Sequence, residues 1–222
     1  MKTTILTLAT AVCLSVLLFS SCSPKEQWKP LFGENLSDAT FDPAVWTFED
    51  GVLAAVEDDF IWTKTEYENF ELDLEFKTDE GTNSGVVVYC SDLSNWVANS
   101  VEVQIADDHS AVWGLENSHQ KCGAIYGHLS PVEQKIVNKP GEWNRMQVTC
   151  RGQHIVVVLN GREVSNMDMS QWTSGTENPD GTTIPPWLPT PFAELPTKGY
   201  IGLQGKHGQA LIWFRNLNIR SL

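Results

Sequence analysis

The run Phe70-Glu71-Leu72-Asp73-Leu74-Glu75-Phe76 alternates without interruption between large apolar side chains and carboxylates. Successive side chains of an extended strand point to opposite faces, so the four apolar residues line one face and the three acids the other. Val101-Glu102-Val103-Gln104-Ile105 repeats the pattern, with Glu102 and Gln104 projecting together close to Asp107 and Asp108. A half-buried strand with that polar face suits the floor of a sugar site, and two such strands suggest a shared purpose for their acids.

The rest of the chain follows the same rhythm. Short apolar or alternating runs fall near residues 45–49, 52–56, 59–62, 85–90, 100–105, 143–151, 154–160, 199–204 and 209–220, separated by Gly, Asn, Asp and Pro. Asn160-Gly161, between Ile155–Leu159 and Arg162-Glu163-Val164, signals a tight hairpin, because the favoured two-residue turn needs positive φ at both positions. Amphipathic helices are scarce. Many strands with no helices to cover a parallel sheet imply an all-β fold, an antiparallel β-sandwich. Residues 165–198 break the rhythm with six prolines, Trp172 and Trp187, and read as an ordered irregular loop over one rim.

At the N-terminus a single Lys2 precedes an apolar run from about Ile5 to Phe19 and then Ser20-Ser21-Cys22. That run is short for a bilayer span and has no stop-transfer flank, so residues 1–21 read as a secretory signal. The sequence before Cys22 resembles a relaxed bacterial lipobox, which implies lipidation of Cys22, a tether over residues 22–30 and one domain over 31–222. The expected location is the cell envelope, membrane-anchored and facing the periplasm. Cleavage removes Lys2 and no acid, taking the formal charge one unit below −13. Such acidity disfavours nucleic acid and suits a neutral ligand. Cys90, Cys122 and Cys150 lack metal-ligand spacing; Cys90 and Cys150 read as buried small hydrophobes, and a disulfide between two of the three is left open.

Several ordered motifs carry a family resemblance: Asn83-Ser84-Gly85, Glu102-Val103-Gln104-Ile105-x-Asp107, Gly123-Ala124-Ile125-Tyr126-Gly127, Gly141-Glu142-Trp143-Asn144, Asn160-Gly161, Gly199-Tyr200-Ile201-Gly202-Leu203-Gln204-x-x-His207-Gly208 and Phe214-Arg215-Asn216. Over roughly residues 28–222 the chain resembles the 3-keto-disaccharide hydrolase family, secreted or lipid-anchored bacterial proteins with a concanavalin A-like jelly roll. The resemblance implies cleavage of a disaccharide or glucoside already oxidised at carbon 3, and hence functional coupling to a sugar 3-oxidoreductase. A ketone at carbon 3 acidifies the carbon 2 proton, so a base can remove it while the glycosidic oxygen leaves carbon 1, and water then adds to the enone. Such a site needs a base near carbon 2, donors for the enolate oxygen and an acid for the leaving oxygen.

Glu102 is the first candidate for general acid or base and His207, in a glycine-flanked loop, the second. Gln104, Asp107, Tyr126, Arg215, Asn83 and Lys121 are the candidate sugar-binding residues. Each has a plainer alternative: a solvated strand face for Glu102, turns for Asp107, His207 and Asn83, and an ion pair with the acidic strands for Arg215. Trp96, Trp113 and Tyr126 are placed to stack on a pyranose, His109 and His128 to line the rim, and Trp143 to anchor the core. Asp58-Asp59 and Asp107-Asp108 offer oxygen ligands for a structural calcium ion, but no loop of regularly spaced acids exists, and no cofactor is assigned. Two rival functions fit the same fold: a non-catalytic carbohydrate-binding, laminin-G-like module, and a conventional glycosidase with two carboxyls across the scissile bond.

Overall fold

The computed structural model describes residues 27–111, 118–133, 135–208 and 210–222. The segment read as a secretory signal, Cys22 and Trp113 lie outside the described residues. Strands numbered along the chain form two antiparallel sheets. The eight-stranded sheet runs β11 (Arg162–Asp168), β10 (His154–Leu159), β9 (Trp143–Arg151), β6 (Phe70–Thr78), β13 (Ile212–Ser221), β4 (Val52–Ala55) and β3 (Trp46–Glu49), with β1 (Lys29–Pro30) also paired to β13. The five-stranded sheet runs β2 (Ala39–Thr40), β5 (Phe60–Thr63), β12 (Tyr200–Gln204), β7 (Asn83–Cys90) and β8 (Val101–Ala106). Neighbours far apart in sequence, such as β6 with β13 and β12 with β7, give the jelly-roll crossings.

The core is the space between the sheets, and strand alternation decides who enters it. Phe70, Leu72, Leu74 and Phe76 of β6 meet Val101, Val103 and Ile105 of β8, Ile201 and Leu203 of β12, and Val86 and Val88 of β7, all fully buried. At about 25 cal/mol per Å² of apolar surface removed from water, each such side chain contributes about 1.5–3 kcal/mol. The Asn160-Gly161 turn joins β10 to β11 with both residues at positive φ. Asn160 then bonds outward, its Oδ1 accepting from the Arg145 N–H at 2.9 Å.

The acids of β6 do not share a wall with Glu102. They face outward on the other sheet, and each meets an arginine: Glu71 with Arg220 (2.8 Å), Asp73 with Arg145 (2.8 Å) and Glu75 with Arg215 (2.6 Å). Trp143 stands on the same outer face, half-buried beneath the Arg215 guanidinium at 3.9 Å, rather than in the core. The irregular loop begins later than expected, because residues 165–168 complete β11. It then folds as an ordered rim: the Trp172 Nε1–H donates to Asn178 Oδ1 (2.9 Å), and the Asn178 Nδ2–H donates to the Gly127 carbonyl (3.1 Å). Cys90, Cys122 and Cys150 are all free and buried.

Candidate active site

The outer face of the five-stranded sheet carries residues of one strand parity. Glu102 and Gln104 of β8, Asn83, Gly85 and Val87 of β7, Gly202 and Gln204 of β12, and Phe60 and Trp62 of β5 point away from the core. Two glycines remove bulk where large side chains must lie flat. A Cβ at Gly85 would stand 2.3 Å from Glu102 Oε1, and one at Gly202 would stand 2.4 Å from the Trp62 ring. The Pro-rich loop closes one side, since Leu188 and Pro185 pack where a Gly127 side chain would be. The result is a hollow of about 310 Å³ lined by Asn83, Trp96, Val97, Glu102, Gln104, Tyr126, Trp187, Leu188, Gln204 and His207.

Five of the expected residues therefore meet: Asn83, Glu102, Gln104, Tyr126 and His207. Burial, and secondarily the charge of Asp58, pushes the Glu102 carboxyl up to about 8, so near neutrality it is mostly protonated. Gln104 is only 2% exposed and works through a neighbour. Its Nε2 donates to Asn83 Oδ1 at 2.6 Å and lies 3.3 Å from the carbonyls of Ser84 and Ile105. With Asn83 Oδ1 occupied, the Asn83 amide N–H groups are the donors it has to offer. The Tyr126 backbone N–H donates to the Glu102 carbonyl at 2.9 Å. Burial, followed by the charge of Glu102, raises the Tyr126 hydroxyl above its ordinary range and keeps it a donor. His207 Nδ1 meets Asp58 Oδ2 at 2.7 Å.

Three expected residues stand elsewhere. Asp107 does turn duty, its two oxygens accepting from the Gly81 and His109 N–H groups at 2.9 and 3.0 Å. It borders a different hollow with Glu80, His109 and Lys139. Lys121 is buried close to Asp108, whose Oδ1 accepts from the Cys122 N–H, and does not line the site. Arg215 belongs to the opposite sheet, in the ion pair with Glu75. Neither rim histidine takes the expected place. His109 accompanies Asp107, and His128 is buried, stacked 3.7 Å from the Phe192 ring. Of the acidic pairs considered for calcium, Asp58 is engaged by His207 across the chain and Asp59 accepts from the neighbouring Phe60 N–H. Among the described residues no three His, Cys, Asp or Glu side chains are grouped around a metal position.

Trp187, Leu188, Gln204 and Asp58 enter unannounced. Gln204 had a signal, because Gly202-Leu203-Gln204 places it on the same parity as Gly202. Asp58 had none, being 149 residues from His207.

Comparison with known proteins finds relatives of the whole domain. The 3-keto-disaccharide hydrolase of Bacteroides thetaiotaomicron is 27% identical, the match covering 81% of this chain and 71% of that one. A crystal structure from Parabacteroides distasonis, provisionally described as a glycosyl hydrolase, is 68% identical with a TM-score of 0.87, covering 88% of this chain and 100% of that one. A lectin from Bauhinia forficata in complex with GalNAc shares the fold alone, at 11% identity and a TM-score of 0.55 over 89% of this chain and 98% of that one. Residues 27–220 match the model of the 3-keto-alpha-glucoside-1,2-lyase-like domain, and the chain belongs to that family.

Proposed function

We propose that this protein cleaves glycosides already oxidised to a ketone at carbon 3, by elimination across carbons 1 and 2 followed by hydration. The observation that carries the reading is the pairing, in one hollow, of a carboxyl held protonated with a histidine whose Nδ1 is engaged by a carboxylate. His207 Nε2 takes the proton from carbon 2. The Asn83 amide donates to the carbon 3 oxygen as enolate character develops, and Glu102 gives its proton to the glycosidic oxygen as the bond to carbon 1 breaks. Water then adds at carbon 1, losing its proton to the Glu102 carboxylate, while His207 returns a proton to carbon 2. Both groups end as they began, and the net reaction is hydrolysis.

A two-carboxylate glycosidase fits less well. Among the described residues lining the hollow, Glu102 is the one carboxylate, and the inverting or retaining mechanisms need a second across the bond. Trp96, Trp187 and Tyr126 supply aromatic surface at the rim for sugar faces or the leaving group. We further propose that Cys22 carries a lipid anchor facing the periplasm and that a sugar 3-oxidoreductase supplies the ketone. The test is turnover of matched disaccharides with and without that ketone. Cleavage of the keto sugar alone is expected; equal cleavage of both returns the conventional glycosidase, and binding without product returns the carbohydrate-binding module.

A further inference from the structure

The loop from β4 to β5, residues 56–59, is fastened to the segment that follows β12. The Gly205 N–H donates to the Asp59 carbonyl at 2.8 Å and the Lys206 N–H to the Glu57 carbonyl at 2.9 Å. Only glycine allows this approach, since a Cβ at 205 would stand 2.5 Å from the Glu57 carbonyl oxygen and 2.7 Å from that of Asp59. On its other side, the His207 N–H donates to the Asn83 carbonyl at 3.2 Å. Asp58 and His207 are thus brought together by backbone fixings on both sides. Their side chains remain 46% and 51% exposed, and an ion pair so open to water adds little to stability. What a carboxylate on Nδ1 does achieve is to fix the tautomer and aim the ring.

We propose that Asp58 is a positioning residue, holding His207 with its proton on Nδ1 and its Nε2 lone pair directed into the hollow. The kinetic consequence rests on the reading of that hollow as a 3-keto-glycoside site; the tautomer does not. Asp58 also acts on Glu102, its negative charge adding to the effect of burial. Among the described residues, the titratable groups facing Glu102 are Asp58 from the β4–β5 loop, His207 after β12 and Tyr126 from the segment after β8. Removing the charge at 58 therefore lowers the pH at which Glu102 gives up its proton.

The experiment compares wild type with Asp58→Asn by ¹⁵N NMR of the imidazole nitrogens and by kinetics on a 3-keto-disaccharide. In the variant, the His207 population carrying its proton on Nδ1 falls and that carrying it on Nε2 rises. The turnover number drops by at least about 10-fold, and by at most the roughly 10⁴-fold that follows loss of the aspartate orienting a catalytic histidine, with KM within about two-fold. The alkaline limb of the pH profile moves to lower pH. A tautomer ratio identical in the two proteins overturns the proposal whatever the substrate. A tautomer shift between the two proteins, when the wild type does not process the keto sugar, supports the positioning role and refutes the functional reading instead.

Discussion

Replacing Glu102 by Gln separates what this side chain does for chemistry from what it does to stability. The amide is nearly isosteric, so it occupies the same bed over Gly85, but it neither ionises nor transfers a proton. In the folded protein burial and Asp58 move the carboxyl from 4.5 to about 8, whereas in the unfolded chain it titrates near 4.5. Between those values the native state binds more protons than the unfolded one, so this group's contribution is intact below pH 4.5 and is lost as pH rises through 8. At about 1.4 kcal/mol per pH unit the interval amounts to at most about 5 kcal/mol, and water entering the hollow reduces it to about half. Urea unfolding of both proteins at steps from pH 5 to 9 measures the difference directly. The stability of E102Q relative to wild type should climb by at least about 2 kcal/mol across that range, while turnover of the keto sugar disappears. A stability difference that stays flat with pH would refute the view that Glu102 is held protonated, and with it the assignment of the acid.

Gly85→Ala should disturb the same group without touching it chemically. The new methyl falls 2.3 Å from Glu102 Oε1 and 2.9 Å from its Cγ, so the carboxyl must move. Displacement by about 1 Å is expected to lower turnover roughly 100-fold, with thermal unfolding reporting that the fold survives. His128 tests the rim. Burial, partly offset by its bond to the Tyr126 carbonyl, pushes it down to about 4. The folded state then binds fewer protons than the unfolded chain between about 4 and 6.5, and stability is lost as pH falls through that window. His128→Phe should flatten the acid limb by about 3 kcal/mol at most, measured by urea unfolding between pH 4 and 7; an unchanged acid limb assigns the sensitivity to another group.

Strand alternation is local information, and it survived folding almost intact. The parity of Phe70–Phe76 and Val101–Ile105 correctly separates the face turned to the opposite sheet from the face turned away, because the pleat leaves a side chain only two directions. The Asn160-Gly161 turn was equally legible, since its backbone angles suit few other residues. The same alternation misled where it was asked which sheet a polar face belongs to. Glu71, Asp73 and Glu75 look in sequence like Glu102 and Gln104, yet they face water on the other side of the sandwich beside Arg220, Arg145 and Arg215.

Sequence alone thus determined the all-β architecture and the parity of its main strands, because each rests on periods and turns within a few residues, while the family came from the resemblance of ordered motifs spread along the chain. Tertiary structure decided which outward faces share a hollow, that Asp107, Lys121 and Arg215 stand outside it, and that Asp58 meets His207 across 149 residues of chain. Those outcomes follow from strand order and from where glycines let backbones and side chains close together. Only the assembled sandwich fixes both.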